Sequence, residues 1–138
     1  MNDNSSAMPH KILIVDDEES IRFYLASALA DRYAVLTAAD GAAALELIKT
    51  EQPELVLLDV KMPGLGGVET LERVKEAGLS PIIWMLTGVE DLDVVLRTLQ
   101  LGATGYVTKP VDLDRVKSIV MDALGEVETS DKSWTIKK

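Results

Sequence analysis

The sequence predicts an α/β fold: a doubly wound, five-stranded parallel sheet with helices on both faces, in the flavodoxin-like strand order 2-1-3-4-5. Two observations carry this expectation. Five short apolar runs rich in branched residues alternate with five segments of helical periodicity, the pattern of successive βαβ units. The runs are continuously apolar instead of alternating, as strands covered on both faces are.

KILIV (11–15) is the first strand, and DEES then opens a helix through IRFYLASALA. YAVLTA (33–38) is the second strand, followed by the helical GAAALELIKT. ELVLL (54–58) leads into Asp59, and a third helix runs through GVETLERVKEA. PIIWML (81–86) precedes a fourth helix, DLDVVLRTLQLGA, and GYV (105–107) precedes a fifth, DLDRVKSIVMDAL. Gly78, Gly102 and Gly125 stand just past helical stretches, where a residue at positive φ is favoured. Residues 10–125 form one domain in this reading, with a disordered polar tail at 1–9 and a tail or linker stub at 126–138.

With 138 residues the chain can bury roughly 68% of its unfolded surface in a single core. Its net charge of −9 repels phosphate backbones and anionic membranes, which argues against direct nucleic acid binding by this segment. The absence of cysteine excludes disulfide and thiol chemistry. No apolar run reaches the roughly 20 residues of a membrane span, and MNDNSSAMPH lacks the pattern of a secretion signal. The expectation is a cytoplasmic protein without a membrane partner.

In such sheets ligands bind beyond the carboxyl ends of the strands, where the strand order reverses. The first strand ends on Asp16 and Asp17, the third on Asp59, the fourth on Thr87, and the fifth runs through Tyr106 to Lys109 and Pro110. The proposed order brings them to one place. Two unit charges about 4 Å apart repel by roughly 4 kcal/mol at an effective dielectric of 20, so three carboxylates need more than one lysine to offset them. An all-oxygen donor set suits a hard cation such as Mg²⁺, which commonly binds carboxylates together with phosphate oxygens. An aspartate can itself attack phosphorus, and Asp59, alone at the end of the middle strand, is the best candidate. Acids at 16–19 could also serve only the positive end of a helix. It is the coincidence of acid pair, acid, hydroxyl and lysine on one sheet edge that favours a phosphoryl site. The GLGG stretch (64–67) lacks the Lys-Ser/Thr of a P-loop and reads as a loop that lets the backbone bend beside the acceptor.

The motifs ILIVDDEE, LVLLDVKMPGLGG, MLTG and GATGYVTKP, in this order, make the chain similar to the receiver domains of two-component response regulators. The resemblance implies a phosphorylation-dependent switch, not an enzyme acting on other substrates. Asp59 would accept a phosphoryl group from a histidine kinase or phosphotransfer protein. Asp16, Asp17, Asp59 and the backbone carbonyl of Lys61 would hold Mg²⁺ or Mn²⁺. Thr87 and Lys109 would contact the phosphoryl group, Tyr106 would move inward as Thr87 engages it, and the bond before Pro110 would be cis. An output domain or effector would meet the face formed by the fourth helix, fifth strand and fifth helix, and a phosphorylation-dependent homodimer is one form of that output.

Two rival classes differ at identifiable residues. A haloacid dehalogenase-like phosphatase resembles this chemistry, but its acids lie on the first strand, and position 61 here is a lysine where a general acid would be needed. A flavin binder on the same fold would not follow its first strand with DDEES. Within the receiver pattern, Gly88 replaces a more usual alanine, Lys61 and Val89 stand two positions beyond acceptor and threonine, and Trp84 is large for a central strand. On the fourth helix, Leu92, Leu96, Leu99 and Ala103 are expected to pack on the sheet with Val95 at the margin, leaving Val94, Arg97 and Leu101 as a partner surface.

Overall fold

A computed structural model of the chain describes residues 9–126; the expected tails fall outside this range, except for Pro9 and Glu126. The element order is β1 (Lys11–Val15), α1 (Glu19–Leu29), β2 (Ala34–Ala38), α2 (Gly41–Glu51), β3 (Leu55–Asp59), α3 (Gly67–Glu76), β4 (Ile82–Thr87), α4 (Leu92–Gln100), β5 (Gly105–Thr108) and α5 (Leu113–Ala123). The five strands are parallel and lie in the order β2-β1-β3-β4-β5, so the doubly wound sheet and its switch of direction between β1 and β3 are present.

Branched and leucine side chains alternate through the sheet plane and bury themselves on both sides. Leu13, Val15, Val56, Leu58, Ile83 and Met85 pack against Ala44 and Ile48 of α2, Leu71 and Val74 of α3, and Val95 of α4. On the opposite face, Ile12, Ile14, Leu55, Leu57, Leu86 and Val107 meet Leu25 and Leu29 of α1 and Val116, Ile119 and Val120 of α5. Every residue of β3 is buried. At about 1.5–3 kcal/mol for each fully buried aliphatic side chain, this strand is a major anchor of the sheet.

The ladders extend past the apolar runs. Asp59 pairs with Leu86 and Thr87 with Thr108, so both polar residues belong to strands. Beyond them, Val60 N–H donates to Leu86 O at 3.0 Å and Lys109 N–H to Thr87 O at 2.8 Å. Gly78, Gly102 and Gly125 have φ of 75°, 113° and 74° at the helix ends. Gly67 serves a different need: a Cβ there would stand 2.6 Å from Asp59 O, so only glycine lets α3 start against the end of β3.

The inward face of α4 differs from the expected one. Leu92 and Leu96 are exposed, at 39% and 63%, whereas Val95 is buried and Val94 and Leu101 pack against the core; Leu99 packs there too, as expected. Ala103 is buried, as expected. The inner stripe is Asp91, Val95 and Thr98, with Thr98 Oγ1 donating to Val95 O at 2.7 Å. Two of these three positions are polar, so counting leucines selects the wrong side of the helix. Val94 and Leu101 therefore do not form the expected partner surface, and Arg97 is paired with Glu72 of α3 at 3.0 Å. A 3-10 turn, Val89–Asp91, precedes the helix.

Candidate phosphoryl and metal site

The carboxyl ends of β1, β3, β4 and β5 bring the candidate residues together. Carboxylate oxygens of Asp16, Asp17 and Asp59 lie within 4.8 Å of one another. Asp16 and Asp59 are buried, at 0% and 4% exposure, while Asp17 faces outward. Lys109 Nζ stands 2.9 Å from Asp16 Oδ2, 3.4 Å from Asp59 Oδ1 and 3.6 Å from Glu18 Oε1. The lysine thus reaches Asp16 of the acid pair as well as Asp59. Thr87 is fully buried at the end of β4 and its hydroxyl donates to Gly88 O at 3.0 Å. Tyr106 is on the edge strand with 39% of its surface exposed, so its ring points outward. The Lys109–Pro110 peptide is cis.

The charges are unbalanced. Burial, then repulsion from Asp16 and, more weakly, Asp17, push the Asp59 carboxyl up to about 7, against the opposing pull of Lys109. For Lys109, burial alone would lower the ammonium, but its close pairing with the Asp16 and Asp59 carboxylates outweighs this and raises it above its ordinary value. Asp16 Oδ1 accepts the Glu18 N–H at 2.9 Å. Asp16 Oδ2 has no hydrogen bond, because its contact with Lys109 is charge pairing without hydrogen-bond geometry. A buried carboxylate oxygen with free lone pairs, beside two other carboxylates, is a donor set that fits a hard divalent cation.

Three contributors carry no clear signal in the sequence. Glu18 adds a fourth acid beside Lys109. Arg22 Nη1 donates to the backbone carbonyl of Asp16 at 2.7 Å, fixing the end of β1 from one turn inside α1. Lys61 Nζ pairs with Asp91 Oδ1 at 3.0 Å. The pairs Lys109–Glu18 and Lys61–Asp91 cross between loops that only the fold makes neighbours, and Arg22 bonds to a backbone atom that any residue would offer.

Comparison with known proteins agrees with this architecture. Residues 12–121 match the response regulator receiver domain. Sporulation initiation phosphotransferase F of Bacillus subtilis is 38% identical over 114 residues, which are 82% of this chain and 92% of that protein. The alkaline phosphatase synthesis transcriptional regulatory protein PhoP of the same organism is 40% identical over 94% of this chain, which spans only 55% of it. The solved structure of Vibrio cholerae chemotaxis protein CheY4 aligns with a TM-score of 0.78 and 32% identity, covering 85% of this chain and 99% of that one.

Proposed function

Because the chain belongs to the response regulator receiver domain family, we propose that it is a signalling switch in which Asp59 accepts a phosphoryl group from a histidine kinase or phosphotransfer protein. The observation that carries this reading is the buried Asp59 carboxylate, set between two further acids and Lys109 and one strand away from Thr87. In the transfer, a carboxylate oxygen of Asp59 forms the bond to phosphorus as the donor's phosphorus–nitrogen bond breaks. Lys109 neutralises charge on the phosphoryl oxygens, and the Thr87 hydroxyl donates to one of them after leaving Gly88 O. Asp16, Asp17, Asp59 and the Lys61 backbone carbonyl would hold Mg²⁺ or Mn²⁺, which supplies the positive charge that one lysine does not.

The switch follows from the same contacts. A phosphoryl group adds a charge near −2 and strong acceptors where Thr87 ends β4. Turning Thr87 toward it displaces the turn before α4 and makes room for Tyr106 to leave the surface. The output surface then lies on α4, β5 and α5, where Leu92, Leu96 and Tyr106 expose apolar area to an effector, an output domain or a second copy. Among the described residues no helix is long and apolar enough to cross a membrane. Lys61 in its pair with Asp91 cannot act as a general acid at neutral pH, which favours this reading over an aspartate-dependent phosphatase. The test is incubation with Mg²⁺ and an acyl phosphate, followed by intact mass. A metal-dependent gain of one phosphoryl group in the wild type and none in Asp59→Asn supports the assignment; no gain in the wild type refutes it.

A further inference from the structure

One ion pair joins the loop that follows the acceptor to the start of α4. Lys61 is two residues past Asp59 and its side chain is 69% exposed, whereas the Asp91 side chain is 8% exposed; Nζ and Oδ1 are 3.0 Å apart. Asp91 does not cap α4 with its side chain, and among the described residues Lys61 is the cation that pairs with it. A carboxylate this buried depends on its counter-charge.

The other end of the turn is tied to Thr87. The carbonyl of Gly88 accepts both the Thr87 hydroxyl and the Asp91 N–H, each at 3.0 Å. The segment from Gly88 to Asp91 is therefore held at two points: by Thr87 at its entrance and by Lys61 at its exit. When Thr87 turns to another acceptor, the first restraint is lost and the second remains.

Resting on the reading of Asp59 as acceptor and Thr87 as its reporter, we propose that the Lys61–Asp91 ion pair is a strap that holds the Gly88–Asp91 turn and the start of α4 in their unphosphorylated position. The strap opposes the switch and sets the strength of phosphoryl binding needed to complete it. The side chains of Lys61 and Asp91 are positioning groups in this scheme, acting on the site through α4 and Thr87, whereas the Lys61 backbone carbonyl, untouched by side-chain substitution, is the group assigned to the metal.

A ligand that prefers the switched state binds more tightly once the resting state loses a stabilising contact. Beryllofluoride, a mimic of the phosphoryl group, is the probe, titrated with Mg²⁺ and read by fluorine NMR in wild type, Asp91→Asn, Lys61→Met and Lys61→Arg. The first two variants are expected to bind roughly two- to fivefold more tightly, the range of a partly exposed ion pair. Lys61→Arg keeps the strap and stays near wild type. Faster amide exchange at residues 88–92 accompanies the gain in affinity. Damage to the fold alone would weaken binding, so equal or weaker binding in Asp91→Asn and Lys61→Met overturns the strap. Failure of the wild type to bind beryllofluoride overturns the acceptor reading itself, and the strap's role with it.

Discussion

Replacing Asp59 by asparagine is expected to stabilise the metal-free protein. The residue is 4% exposed, and burial together with Asp16 raises its carboxyl from 3.8 to about 7 despite Lys109. The folded state therefore binds this proton more tightly than the unfolded chain, so this group's contribution is fully favourable below pH 3.8 and is lost as pH rises to about 7. Moving the carboxyl from 3.8 to about 7 sets a ceiling of about 4 kcal/mol. Asparagine also deprives Lys109 of one partner, which offsets part of this, so about 1–3 kcal/mol is the expected gain at pH 8. For a chain of this size that corresponds to a melting temperature higher by roughly 3–10 °C. Urea and thermal unfolding in a chelator should show the gap between variant and wild type widening from pH 4 to 7 and holding constant above. Added Mg²⁺ should stabilise the wild type more than the variant, by about 2.7 kcal/mol at a hundredfold excess over its dissociation constant, and close the gap. A variant less stable than wild type in chelator, or a gap that ignores pH, would refute the electrostatic account.

Three other substitutions or probes bear on the same framework. Thr87→Ala should still accept the phosphoryl group, but lose a hydrogen bond to a charged acceptor worth about 1.5–3 kcal/mol, so phosphorylation should no longer alter amide exchange in residues 88–91. Gly67→Ala places a Cβ 2.6 Å from Asp59 O and should lower stability by about 1–3 kcal/mol in denaturant unfolding while also slowing phosphorylation. Trp84 pairs with Gly105 across the ladder, where a Cβ would lie 2.6 Å from the indole; Gly105→Ala should therefore shift Trp84 emission and destabilise the β4–β5 edge.

The sheet was legible because continuous apolar runs have few alternatives in a chain of this length, and the site because each run stops on a residue that chemistry can use. Asp16, Asp59, Thr87 and Lys109 needed only the strand order to be brought together. The phase of α4 was not legible, since its buried stripe carries Asp91 and Thr98, whose polar atoms are paired with Lys61 and Val95 O. Trp84 looked too large for its strand because its compensation, the missing side chain at Gly105, is more than twenty residues away in sequence. Likewise Tyr33, expected to open the second strand, is instead buried just before β2 and donates its hydroxyl to Glu126 at 2.7 Å. Contacts of this kind depend on where loops meet, and residue type alone does not specify that.

The most direct measurement of the central assignment is the position of the phosphoryl group. After reaction with Mg²⁺ and an acyl phosphate, borohydride reduces an aspartyl phosphate to homoserine, which peptide mapping then locates. The account predicts conversion at Asp59 within LVLLDVK (55–61), dependent on Mg²⁺ and on Lys109. Conversion at Asp16 or Asp17, or none in any peptide, would contradict it.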